Sequence, residues 1–196
     1  MLIDSGGANI GSVRYALERL GVRARLTADA EAIARADRVI LPGVGAAGAG
    51  MARLRELKLV EIVRGLSQPL LGICLGMQLL FESSEENDAQ CLGLIPGRVR
   101  RLQGGAGVRV PHMGWNALQP YRDDALLAGI LPDAQAYFVH GYAAPVGEAT
   151  LATATHGEEF SAIVHRGNCW GAQFHPERSG PVGARLLENF LSERLA

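Results

Sequence analysis

Leu70-Leu71-Gly72-Ile73-Cys74-Leu75-Gly76-Met77-Gln78-Leu79-Leu80-Phe81 is the stretch on which the reading of this chain turns. A short apolar run with the look of a buried strand passes directly into a segment that reads as a helix through Phe81. Cys74, framed by Gly72 and Gly76, stands at the junction. A strand feeding a helix through so tight a turn belongs to an α/β sheet.

The segments upstream repeat that alternation. Leu2 to Asp4 reads as a short first strand, and Asn9 to Leu20 as a helix with Ile10, Val13, Leu17 and Leu20 on one face. Val22 to Leu26 reads as a second strand, and Asp29 caps a small helix through Ala36. Arg38 to Leu41 is a buried strand stopped by Pro42-Gly43, with a glycine-rich loop from Gly43 to Gly50 after it. Downstream, Gln135 to Tyr142, Thr150 to His156, Ala162 to His165 and Cys169 to Phe174 alternate between polar turns, as antiparallel additions to the sheet would. Gly180 to Leu195 closes the chain as a helix with Val182, Leu186, Leu187, Phe190 and Leu191 at helical spacing.

The Gly-x-Cys-x-Gly frame has the layout of a nucleophile elbow. The nucleophile of such a turn sits in a tight bend where bulky neighbours would strike adjoining strands, so both flanking positions must be small. Amides at a helix start also favour a thiolate and can hydrogen-bond an oxyanion, which makes the Leu75 amide the natural donor. Without its frame, Cys74 would read as one more small buried residue. Cys91 and Cys169 lack such a frame and read as structural.

A cysteine nucleophile needs a base, and the base an acid to orient it. His175-Pro176-Glu177 follows the apolar run Trp170 to Phe174, at the end of a strand, where open α/β sheets place their ligands. If that segment is extended, residues two apart share a face and His175 can bond Glu177. The neighbourhoods of His112, His140, His156 and His165 offer no such setting. The spacings of histidine and cysteine give no metal-ligand pattern, so no metal is expected. The Gly43-Val44-Gly45 loop is either a simple turn or, paired with the elbow, a source of a second oxyanion donor at Val44 or Gly45. Its glycines give the peptide freedom to reorient when a partner binds.

At 196 residues the chain fits a single domain, 1–196. Hydrophobic residues make up 48% and charged ones 20%, which excludes a disordered chain, and a net charge of −1 gives no field for nucleic acid or an anionic membrane. The odd cysteine count fits a reducing cytoplasm. The start of the chain shows no basic stretch ahead of an apolar core, so export is not expected.

Pro42-Gly-Val-Gly45, Gly72-Ile-Cys-Leu-Gly-Met-Gln78 and Gln173-Phe-His-Pro-Glu177 together resemble the class I, triad-type glutamine amidotransferases along nearly the whole chain. Pro111-His-Met-Gly-Trp-Asn116 and Tyr137-Phe-Val-His-Gly-Tyr142 resemble, within that class, the glutaminase subunits of imidazole glycerol phosphate synthase. The resemblance implies a flavodoxin-like three-layer α/β/α fold with a mostly parallel central sheet. It implies a Cys74-His175-Glu177 triad that hydrolyses glutamine through a cysteinyl thioester, without a cofactor. The ammonia would pass to a cyclase subunit, HisF, in a heterodimeric lyase of histidine biosynthesis. By the same resemblance Gly43, Gln78, Glu86, Gly141 and Tyr142 contact glutamine, while Asn9, Trp115, Asn116 and Tyr137 lie toward the cyclase. Arg178, beside the triad, suggests a salt bridge across that interface. The sequence departs from the family pattern in its clipped first strand and in Gly141, where serine or threonine is common. Other class I glutaminases, cysteine peptidases on similar folds and an inactive binding module are the rival readings.

Overall fold

The computed structural model describes residues 1–5, 10–105 and 107–192. Asn9 lies outside them. The chain begins with β1 (Leu2–Ile3), α1 (Ile10–Arg19), β2 (Leu26–Thr27), α2 (Ala30–Ala34) and β3 (Val39–Gly43). Asp29 caps α2 as expected, its carboxylate accepting from the Ala32 amide at 2.8 Å. The second strand is shorter and later than its apolar pattern suggested. A two-residue β1 offers partners only to Leu26 and Thr27, so no ladder reaches back to Val22. Pro42 does not stop β3; it pairs with Ile73 inside the strand, and its carbonyl accepts from the Ser5 hydroxyl.

The glycine-rich loop is half helix. α3 (Ala47–Glu56) starts inside it, and α4 (Val60–Arg64) follows. Glu86, remote in sequence, accepts from the Ala47 amide at 2.7 Å and supplies the N-terminal cap that no local residue provides. β4 (Leu70–Cys74) then enters α5 (Leu75–Leu79) without a linker. That helix ends earlier than its apolar run, because Phe81 pairs with Ile95 and opens a smaller sheet.

The small sheet is built from β5 (Phe81–Ser84), β6 (Ala89–Gln90) and β7 (Ile95–Arg101). The main sheet resumes with β8 (His112–Pro120) and β9 (Ala134–His140), and β10 (Tyr142–Ala143) returns to the small one beside β7. β11 (Thr150–His156), β12 (Glu158–Arg166), β13 (Cys169–Ala172) and α6 (Gly180–Leu191) complete the described chain. The main sheet runs β2-β1-β3-β4-β13-β12-β11-β8-β9. β9, β11 and β12 are the antiparallel additions expected; β8, which pairs with both β9 and β11, is a further one that the alternation did not mark. β13 is not one of them: it pairs parallel with β4, since the hairpin from β12 turns the chain back into the direction of the central strands.

Alternation along the central strands divides the core in two. Leu2, Ile40, Leu71 and Ile73 face α1 and α6, packing with Val13, Leu17, Leu186 and Phe190. Ile3, Val39, Leu41 and Leu70 face the helices of the other side, with Ile33, Met51, Leu54 and Val63. A three-layer α/β/α arrangement results. Among the described residues no helix is long and apolar enough to cross a membrane.

Candidate active site

β3, β4 and β13 are adjacent and parallel, so their C-terminal ends open on one edge. Gly43 lies in register with Cys74, and Ala172 with Ile73. The three motifs that stood far apart in sequence therefore converge at one place, as the strand-end rule for open sheets requires.

Cys74 has φ 54° and ψ −112°, a backbone conformation that side-chain-bearing residues rarely hold. The glycines explain how the turn is tolerated. A Cβ on Gly76 would collide with the Leu41 carbonyl oxygen, and one on Gly72 would lie 2.6 Å from both Gly76 O and Met77 N. The elbow is thus pressed against β3 and against its own helix, and Cys74 is turned toward a cavity of about 170 Å³. Leu75 is the first residue of α5, so its amide belongs to the turn that has no intrahelical acceptor.

The base is fixed by its backbone. The His175 amide donates to the Tyr137 carbonyl at 3.0 Å, and the His175 carbonyl accepts from the Ser179 hydroxyl at 2.7 Å. Its Nδ1 lies 2.8 Å from Glu177 Oε1. The segment is not extended as expected: Pro176–Arg178 forms a turn of 3₁₀ helix, and the acid reaches the ring across that tight turn instead of along a strand face. Burial opposes charge on His175 and is the strongest single influence. Hydrogen bonds to Cys74 and Glu177, with their negative charges, together outweigh it and raise the imidazole to about 10. A cation beside the sulfur and a carboxylate behind it are the electrostatics of an activated thiol nucleophile.

The cavity is lined by Val44, Gly45, Cys74, Leu75, Gln78, Glu86, Val139, His140, Gly141, Tyr142 and His175. Gly43 lies beneath it, where a Cβ would meet Gly76 N at 2.9 Å. Glu86 divides itself between this cavity and the cap on α3. Gly141 leaves room for a side chain, its nearest obstacle being Val110 Cγ1 at 3.8 Å.

The wall formed by Val139 and His140 lies inside the Tyr137–Tyr142 motif, which gave no role to either residue. His140 Nδ1 is 2.8 Å from the Tyr142 carbonyl and must donate to it, which leaves Nε2 as the acceptor. His112 Nδ1, 3.1 Å away, then donates, and His112 Nε2 accepts from Asn116 Nδ2 at 3.3 Å. Both rings are thereby held neutral. Burial, followed by the neighbouring His156 imidazole, lowers His112 to about 4; burial lowers His140 to about 3 against the pull of the Tyr142 carbonyl.

Toward the rim, Trp115 is 56% exposed and Met113 65% exposed on one face of β8. Trp115 meets Tyr137 edge to face at 5.8 Å, and the Arg178 guanidinium lies 4.7 Å from the Tyr137 ring centre. Asn116, next to Trp115 on the strand, points the other way and donates to the Thr155 carbonyl at 2.8 Å. Cys91 and Cys169 are buried elsewhere, and burial pushes each thiol up to about 11. The described residues contain no group of side chains suited to a metal ion.

Residues 1–194 match the family model for glutamine amidotransferase class-I, and the chain belongs to that family. The fold agrees: a crystal structure of a glutamine amidotransferase superposes with TM-score 0.74 at 24% identity, over 97% of this chain and 95% of the other. A glutamine amidotransferase of Thermotoga maritima gives 0.60 at 19%, over 96% and 78%. Within the family, the imidazole glycerol phosphate synthase subunit HisH of Xanthomonas axonopodis pv. citri is 64% identical over 97% of this chain and 95% of its own length. HisH of Xylella fastidiosa (strain Temecula1) is 60% identical over the same shares.

Proposed function

We propose that this chain is the glutaminase subunit of imidazole glycerol phosphate synthase, acting as one domain, with Cys74 as nucleophile, His175 as acid and base, and Glu177 as orienter. The observation that carries the mechanism is the joint hold of Cys74 and Glu177 on one buried imidazole at the ends of three parallel strands.

Glutamine enters the cavity with its side-chain carbonyl carbon at Cys74. The thiolate attacks, and charge moves onto the carbonyl oxygen, which the Leu75 amide and a peptide amide of Val44-Gly45 receive; one such donor is worth about 3 kcal/mol. His175 gives its proton to the departing ammonia and leaves a glutamyl thioester. It then takes a proton from water, the hydroxide adds to the thioester, and glutamate departs as the thiolate returns. Gln78, Glu86, Gly141 and Tyr142 hold the amino acid.

The released ammonia serves the cyclase subunit HisF, which consumes it with a phosphoribulosyl aminoimidazole nucleotide to give imidazole glycerol phosphate and an aminoimidazole carboxamide ribotide. The exposed Met113 and Trp115, with Tyr137 and Arg178 beside the triad, form the face that meets the cyclase; Asn9 is assigned to that face by resemblance, and Asn116 supports it from behind. The complex works in the cytoplasm as a heterodimer.

Glutamate release from glutamine, measured with the purified chain alone and with cyclase carrying its nucleotide, tests this reading against a Cys74→Ala blank. Release that requires Cys74 and rises with the loaded cyclase is expected. Cys74-dependent release indifferent to the cyclase would reassign the pathway, and equal rates with and without it would also end the idea that the Val44 peptide reorients on engagement.

A further inference from the structure

Cys74 has two polar neighbours outside the triad: the Val139 carbonyl, 3.9 Å from the sulfur, which can only accept, and the Gln173 side chain. Gln173, two residues before His175, is fully buried, and one end of its carboxamide lies 3.9 Å from Cys74 Sγ. That distance is long for oxygen but within hydrogen-bond reach of the larger sulfur atom.

Which end of the amide faces the sulfur follows from its neighbours. The Tyr142 main-chain carbonyl can only accept, so the Gln78 side-chain atom 2.8 Å from it is Nε2. The same nitrogen lies 2.9 Å from the far end of Gln173. An amide nitrogen has two hydrogens; one goes to Tyr142 and the other requires an acceptor, so Gln173 turns Oε1 toward Gln78. Its NH₂ must then point at Cys74. Reversing Gln173 would set two NH₂ groups against each other inside the protein. Gln78 is 4% exposed and Gln173 is fully covered, so neither amide can satisfy itself elsewhere.

We propose that Gln173 is a positioning residue for the nucleophile: its carboxamide N–H donates to the Cys74 sulfur, holds it in line with the cavity and favours its ionised form, with the donor direction dictated by the Tyr142 carbonyl through Gln78. A hydrogen bond to an anionic sulfur strengthens as the thiolate forms, so Gln173 adds to His175 from a different side. It also leaves Gln78 facing substrate with its acceptor oxygen alone, since both hydrogens are committed. This inference rests on Cys74 being the nucleophile.

The test is the pH dependence of Cys74 alkylation by iodoacetamide, followed on the Cys74 peptide by mass spectrometry, in the wild type, Gln173→Leu and Gln173→Glu. The leucine variant removes the donor and is expected to move the midpoint up by about half a unit to one unit, a three- to tenfold loss of thiolate at a given pH. The glutamate variant keeps an acceptor for Gln78 and sets a carboxylate against the sulfur; its midpoint should rise further. It also keeps the packed volume, so the proposal stays testable if the leucine variant does not fold. Wild-type midpoints in the folded variants would overturn the proposal and reduce Gln173 to packing. Because alkylation needs no glutamine turnover, a shifted midpoint in a chain without glutaminase activity would refute the functional reading and leave this contact standing.

Discussion

Two histidines line the same small cavity and are driven in opposite directions. His175 is raised to about 10 and His140 lowered to about 3, although both are buried and both have a hydrogen-bond partner on Nδ1. The difference lies in what the partners carry. His175 stands between a carboxylate and a sulfur that can ionise, so a proton on the ring is met by charge on both sides. His140 stands between a peptide carbonyl and another imidazole, which fix its tautomer but carry no negative charge, and the pull of the carbonyl is outweighed by burial. Burial alone therefore does not make a histidine functional; it enlarges the effect of whatever charge lies next to it.

The contrast is most sharply tested by glutamine hydrolysis in the loaded complex. His175→Gln should lower kcat/KM by about 10⁴-fold or more, while His140→Gln should lower it by less than about tenfold. Comparable losses would mean that both rings share the chemistry. Glu177→Gln keeps a polar partner but removes its charge, and a loss of roughly 10²- to 10⁴-fold is expected in the same assay. An unchanged rate would leave the Cys74 contact alone responsible for holding His175.

The two environments also act on opposite limbs of the stability profile. His175 has a raised value in the folded state, so its contribution is complete below about pH 6.5 and is lost as pH rises toward about 10. His112 and His140 have lowered values, so theirs is present above about 6.5 and is lost as pH falls toward about 4 and about 3. Urea unfolding between pH 6.5 and 4.5 should show the wild type losing stability more steeply than His140→Gln, by about 1.4 kcal/mol per pH unit at most. Parallel slopes would mean that His140 accepts a proton readily in the folded state. The smallest effect belongs to the rim: Arg178→Gln should cost the isolated chain no more than about 1 kcal/mol, through loss of the cation on Tyr137, measured as a shift in urea midpoint.

The same contrast marks how far the sequence could be read. The elbow was legible because its constraint is local: the glycines that Cys74 needs are two residues away on either side, and the clash each prevents is with Leu41 or with α5 itself. His175 and Glu177 were legible as a pair, although the turn joining them is 3₁₀ and not extended. Glu86 was harder, since its carboxylate answers an α3 amide 39 positions earlier. His112 and His140 each lay inside a quoted motif, but the link between them was hidden, because a neutral histidine chain has no signature beyond single residues on two strands that happen to pair. Gln173 did leave a signal: it opens the Gln173-Phe-His-Pro-Glu177 motif two residues before His175, just past the end of β13. In the fold, β13 was misassigned because strand direction depends on the hairpin before it, which composition does not show.

The central claim is that a cationic His175, held between Glu177 and the sulfur, makes Cys74, among three buried cysteines, the one reactive toward glutamine. A glutamine analogue with a diazomethyl ketone in place of the side-chain amide, given to the chain with loaded cyclase and followed by peptide mass spectrometry, tests it most directly. The label should fall on Cys74, spare Cys91 and Cys169, and be abolished by excess glutamine. Labelling of Cys91 or Cys169 at a comparable rate, or an unlabelled Cys74, would contradict the account.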